Sequence, residues 1–180
     1  MIDRKKVEEA LAQLPLCLCE YIDPQRIVFS EKVRWICEKE CPMYAKTWAC
    51  PPAVGTVECC KEKCLSYNSC LLIGSAQEIE EPYSMEKALS TRSTHEELTR
   101  QAGNTLTDQG VLTYILSTEA CAECESCTFP EGKPCRFPNR MHPCVESHGI
   151  NLIPTLEALG LDFQQGNDVI TWYSLLFFNE

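Results

Sequence analysis

The chain has 180 residues, 44% of them hydrophobic and 23% charged, with a formal net charge of −10. Such a composition is globular and excludes a disordered chain, and without a Lys/Arg cluster the basic face of a nucleic-acid binder is missing. The apolar runs are too short to span a membrane and the charged, amphipathic N-terminus lacks a signal-peptide core, so the sequence predicts a cytoplasmic protein with neither nucleic acid nor membrane as partner.

In chain order, Val7, Ala10, Leu11 and Leu14 recur at helical spacing and predict an amphipathic helix over 4–14. Residues 26–29 (RIVF) read as a short strand. The stretch 37–52 carries Pro42, Pro51 and Pro52, which hold it off helix geometry. Thr56 caps a helix running to about Tyr67, and 69–76 (SCLLIGSA) reads as a buried strand. Pro82 and Ser84 open a further helical stretch. Ser93 to Glu96 is a capping-box pattern that launches a helix toward Gly103 or beyond. Residues 111–118 are rich in β-formers. Pro154 and Gly160 bracket a short helix, and 168–178 (DVITWYSLLFF) predicts a central strand. With no linker and no repeat, the order predicts one α/β or α+β domain over 1–180: a small central sheet, flanking helices and two cysteine-rich metal-binding loops.

Fourteen cysteines are the anomaly. A reducing compartment disfavours stable disulfides, so a dense pattern without a leader points to metal or redox chemistry. The first constellation is Cys37, Cys41 and Cys50, in a proline-bent loop that lets thiolates converge. Tyr44 and Trp48 are placed to cover it, or to fill core. The second is CAECESCTFPEGKPC, with Cys121, Cys124, Cys127 and Cys135. Its first three match the start of the CxxCxxC ferredoxin run, and its fourth sits further on than that run's. Three cysteines at i, i+3 and i+6 wrap round a cubane more naturally than round one ion, so a [4Fe-4S] cluster leads and zinc is the alternative. Two such clusters want an eighth thiol, from Cys60, Cys64 or Cys144, and Cys135 is open to joining either group. Cys17, Cys19, Cys59 and Cys70 read as small buried hydrophobes. His148 reads as a partly charged group at a helix end, and His95 as a surface residue at a helix start.

The patterns C-x3-C-x2-Y-x3-W-x-C-P-P (37–52), C-x2-C-x2-C-x7-C-R-x-P (121–138) and P-x-x-E-x-x-G-I (143–150) resemble, in that order, a family of cysteine-rich predicted metal-binding proteins. That family is common in anaerobic bacteria and methanogenic archaea and is catalogued as a domain of unknown function. The resemblance implies that the seven cysteines of the two constellations are metal ligands and that the metal is held as iron–sulfur. This chain departs from the pattern at Ala45, where glycine is typical, at Cys144, where serine is usual, and in its extra Cys59, Cys60 and Cys64.

Three functions follow as expectations. The first is an iron–sulfur protein with one or two [4Fe-4S] clusters, in electron transfer or as a redox accessory of anaerobic metabolism, docking on a redox partner protein through its acidic surface. The second is an enzyme using an open cluster iron, with Arg140, His142 and Glu146 as acid–base candidates. The third is a zinc-stapled protein-interaction module.

Overall fold

Two ten-residue strands form the centre of the molecule in the computed structural model, which describes residues 2–78, 90–118, 121–163 and 168–180. They are β2 (Ser69–Glu78) and β4 (Val169–Phe178), antiparallel over their whole length, from Ser69 opposite Phe178 to Glu78 opposite Val169. β1 (Leu18–Ile22) pairs with β2 and β3 (Tyr114–Leu116) with β4, giving the order β1-β2-β4-β3. Among the described residues every strand pairing of the sheet is antiparallel, so the class is α+β.

The central strands read as continuous apolar runs because both faces of the sheet are covered. Alternate side chains point to opposite faces. Cys70, Leu72, Leu175 and Phe177 meet one core, with Cys64 of α3 (Val57–Leu65) and Leu156 from the short helix Leu152–Ala158. Leu71, Ile73, Leu176 and Phe178 meet the other, with Val7 and Leu11 of α1 (Arg4–Leu11) and with Ala102 and Leu106 from the long helix Arg92–Asp108. With α2 (Glu31–Lys39) between α1 and α3, the long helix is α4 and the short one α5.

The helix starts follow capping chemistry in part. Asp3, Ser30 and Thr56 each accept a backbone N–H in the first turn of α1, α2 and α3. The capping box at Ser93 does not form. α4 already begins at Arg92, the Ser93 hydroxyl donates to the Ser90 carbonyl, and the helix runs on to Asp108. The strand expected at 26–29 is a 3₁₀ turn (Pro24–Arg26) followed by a single bridge at Phe29, because Asp23 caps the turn at Gln25 and fixes φ/ψ there. β1 was not among the strands expected from the sequence. The helical stretch expected from Pro82 lies outside the described residues. No helix among the described residues is long and apolar enough to cross a membrane.

Two bridges decide what meets at the sheet's edge. Phe29 pairs with Ile150, with Ser30 N–H donating to Gly149 O at 2.7 Å and Asn151 N–H to Val28 O at 2.8 Å. Ser117 pairs with Cys144, with Ser117 N–H donating to Pro143 O at 2.8 Å and Val145 N–H to Ser117 O at 2.9 Å. The segment 143–151 is thereby fastened both to the start of α2 and to the end of β3.

Candidate metal centres

Cys37 sits in the last turn of α2, and the chain then bends through successive turns to Cys50. Ala45 takes the left-handed φ of 56°, and its N–H donates to Pro51 O at 2.8 Å, folding the loop back on itself. Glycine adopts that conformation without a Cβ penalty, which is the physical reason a glycine suits this position. The fourth thiol comes from far along the chain. Cys144 is buried at the bridge with Ser117, on a turn that closes through the Ser147 hydroxyl to Cys144 O at 2.6 Å. Cys37, Cys41, Cys50 and Cys144 line one cavity of about 500 Å³.

The electrostatics of this group show what it lacks on its own. A hydrogen bond between Cys50 and Cys144 lowers the first thiol and raises the second, and burial raises Cys144 further. Burial pushes Cys37 up to about 11, helped by Cys41 and Glu146 and opposed by Arg34. The raised thiols, Cys37 and Cys144, would release their protons to a metal cation, which inverts the local preference. Arg34, one helical turn before Cys37, is itself buried. It donates to Gly55 O at 2.7 Å, to Ser147 O, and to Cys60 Sγ at 3.7 Å, tying α2 to the turn that carries Cys144.

The second group is built locally. After Cys127 the chain makes a 3₁₀ turn (Phe129–Glu131) and reverses at Gly132, whose φ is 66°. Thr128 Oγ1 donates to Pro134 O at 2.9 Å and Arg136 Nη1 to Ser126 O at 2.6 Å, so Cys135 is returned to the three thiols that precede it. Cys121, Cys124, Cys127 and Cys135 line one cavity of about 190 Å³. Trp48 seals the loop to the first constellation: its indole N–H donates to Lys133 O at 3.1 Å and its ring meets Phe129 edge-on with centroids 5.0 Å apart.

The two groups are neighbours. Met43 lines both cavities, and Thr47 lines the second while its carbonyl accepts from Cys50 N–H of the first at 3.3 Å. Among the described residues no three Cys, His, Asp or Glu side chains converge on the position of a single ion; the thiols rim their cavities.

The structure sorts the open positions. Cys135 stands with Cys121, Cys124 and Cys127. Of the three residues considered for an eighth thiol, Cys144 joins Cys37, Cys41 and Cys50. Cys64 lies in the core under the sheet, where burial raises its thiol to about 12, and Cys60 points at Val54 O (3.3 Å) and Arg34. Cys70 is buried as expected, whereas Cys17 and Cys59 are exposed. His95 is no surface residue. It is fully buried, with Nδ1 2.7 Å from Ser75 Oγ and Nε2 2.9 Å from Ser174 Oγ. His148 is no cation at a helix end either: it is buried against Tyr114 Oη at 2.6 Å, and burial drops it to about 3. Tyr44 lines the first cavity and Trp48 the second, while Glu146 faces the first and Arg140 and His142 face a separate polar cavity. Sequence reasoning missed Arg34 and Met43. The only signal for Arg34 was its spacing of one turn from Cys37.

No curated protein and no solved structure matches this chain. The family model described as "Predicted metal-binding protein (DUF2284)" matches residues 20–178, which takes in all eight of these thiols, and the chain belongs to that family.

Proposed function

We propose that the protein carries two iron–sulfur centres of the [4Fe-4S] type and moves electrons between a redox partner and one of those centres by way of the other. Cys37, Cys41, Cys50 and Cys144 would hold the first centre, and Cys121, Cys124, Cys127 and Cys135 the second. The observation that carries this reading is the shared wall: Met43 lines both thiol-lined cavities, so the two sets are neighbours. Close spacing is what electron exchange between two centres requires.

The donor sets fit the group. Both are all-sulfur, as cluster ligation demands. A lone zinc would draw four sulfurs to about 2.3 Å from one point; four thiols around a cavity leave room for a larger inorganic core. When bound, such a cluster supplies reversible one-electron chemistry. The chain supplies the rest. Trp48, Phe129 and Tyr44 cover the loops and limit water, which tunes a centre's potential. The net charge of −10 favours docking on a basic redox partner.

A second reading is favoured by the size of the first cavity. Ile36, Met43, Ile153 and Phe163, all exposed, extend its walls beyond the thiols. That apolar vestibule suits a small substrate meeting an enzyme's open cluster iron.

Analysis of iron, acid-labile sulfide and zinc in anaerobically purified protein tests the proposal. Brown protein with about eight iron and eight sulfide per chain supports two centres. Colourless protein with stoichiometric zinc overturns it in favour of a zinc-stapled module. An EPR spectrum of the reduced protein that shifts on adding small ligands moves the reading toward the enzyme.

A further inference from the structure

A third cavity, of about 840 Å³, is larger than either thiol-lined one and contains none of the eight thiols assigned above. α3 contributes Lys63, α4 contributes Arg100, Asn104 and Thr107 at successive turns, and the loop before Cys144 contributes Arg140 and His142. Among the described residues no Asp or Glu lines it, in a chain with 26 acidic and 16 basic residues. Three cations, Lys63, Arg100 and Arg140, share this one wall.

The cations are also held in place. Glu123, its side chain 9% exposed, takes Arg100 on one carboxylate oxygen and Arg140 Nη2 on the other at 2.8 Å. One carboxylate against two guanidiniums leaves an excess positive charge; Arg100 is held further by Nη1 donating to Arg140 O at 3.3 Å, and each guanidinium keeps further N–H groups beyond these bonds. Arg140 remains 66% exposed. Lys63 Nζ sits 3.7 Å from the centroid of the Tyr114 ring, with no carboxylate partner among the described residues. The volume is that of a small-molecule site, and Trp48, Leu112 and Ile115 add apolar wall beside the polar groups.

We propose that this cavity binds a small organic polyanion, whose carboxylate or phosphate oxygens are taken by Lys63, Arg100 and Arg140. An acidic chain repels anions in general, so a walled group of cations that outnumbers its one carboxylate partner, Glu123, focuses them at one place.

Isothermal titration of the whole chain with pyrophosphate and with tricarballylate, at fixed ionic strength, tests this. Metal content is assayed on the same sample; the cavity uses none of the eight thiols, so a colourless preparation tests the proposal as fully as a brown one. Saturable one-to-one binding of either probe is expected, and the tighter of the two identifies phosphate or carboxylate as the natural head group. Lys63→Gln and Arg140→Gln, both exposed positions that leave the cores untouched, should each weaken binding about tenfold, the scale of one charge-assisted hydrogen bond. Lys32→Gln on the outer face of α2 should leave the affinity unchanged. Absence of binding by both probes overturns the proposal, and so does an equal loss in the Lys32→Gln protein, which would mean diffuse attraction only.

Discussion

Removing the Arg34 guanidinium should cost both stability and the first thiol group. In Arg34→Met the carbonyls of Gly55 and Ser147 lose a buried, charged donor. Each hydrogen bond to a charged group contributes about 1.5–3 kcal/mol. Relief of the cation's own burial offsets part of that, leaving a net loss of about 3 kcal/mol. In a chain of this size each kcal/mol moves Tm by about 2–4 °C, so thermal unfolding followed by circular dichroism should show a fall of roughly 6–12 °C. The second readout is more specific. Arg34 holds the Ser147 carbonyl of the turn that presents Cys144, while the second group is closed by its own loop. Metal analysis should therefore show one centre lost and one retained. Arg34→Lys keeps the charge without the fork that reaches two carbonyls at once, and should fall between the two. A Tm within about 2 °C of the parent, together with full metal content in Arg34→Met, would refute the reasoning.

The other predictions are narrower. Cys144→Ser should release first-centre metal to a chelator at least tenfold faster than the parent, whereas Cys60→Ser and Cys64→Ala should not change the rate; metal release followed in the visible spectrum separates them. Ala45→Gly relieves a left-handed alanine at φ 56° and should raise stability by about 1 kcal/mol in a urea titration. Gly149→Ala does the reverse: at φ 72° its Cβ would meet both Val57 methyls at 2.9 Å and Ser30 O at 3.2 Å, with an expected loss of about 2 kcal/mol or more. His95 is held neutral by burial, at about 4 against 6.5. A folded value below the unfolded one means that the stability is fully present above pH 6.5 and is lost as pH falls toward 4, by about 3 kcal/mol over the window. The groups facing the ring are Ser75 and Ser174, with Glu96 reached through Ser117 as the carboxylate of that network. Unfolding midpoints between pH 7 and 4 should show this slope flattened in His95→Gln.

Legibility tracked sequence distance. β2 and β4 were plain because a strand covered on both faces is a continuous apolar run, and α3 was plain because Thr56 caps it. β1 was hidden: it is a five-residue edge strand whose side chains, Ile22 apart, are only partly buried or exposed, so no alternation marks it. The second thiol group was legible as a set because all four members fall within 121–135, and only the return of Cys135 needed the Thr128 and Arg136 hydrogen bonds to be seen. The place of Cys144 was not legible. It depends on two bridges, Phe29 to Ile150 and Ser117 to Cys144, that join segments with no local pattern in common. His95 misled for a related reason. A histidine in the first turn of a helix reads as exposed until a sheet carrying Ser75 and Ser174 is laid against it.

That contrast has a consequence for how the two groups depend on the fold. The second set closes on itself through contacts within residues 121–136, with the Trp48 indole and the Glu123 ion pairs to Arg100 and Arg140 as ties to the rest. Its thiols are near one another in the unfolded chain as well, so metal binding there requires little long-range order. The first set gathers Cys37, Cys41 and Cys50 with a thiol 94 residues beyond Cys50, across a bridge, a buried arginine and a left-handed glycine. Its metal affinity therefore contains the folding free energy of the sheet edge. Mild denaturant should strip the first centre before the second, and occupancy of the first should raise Tm more. Equal release of the two, or release in the opposite order, would mean that the 121–135 loop also draws its order from the core.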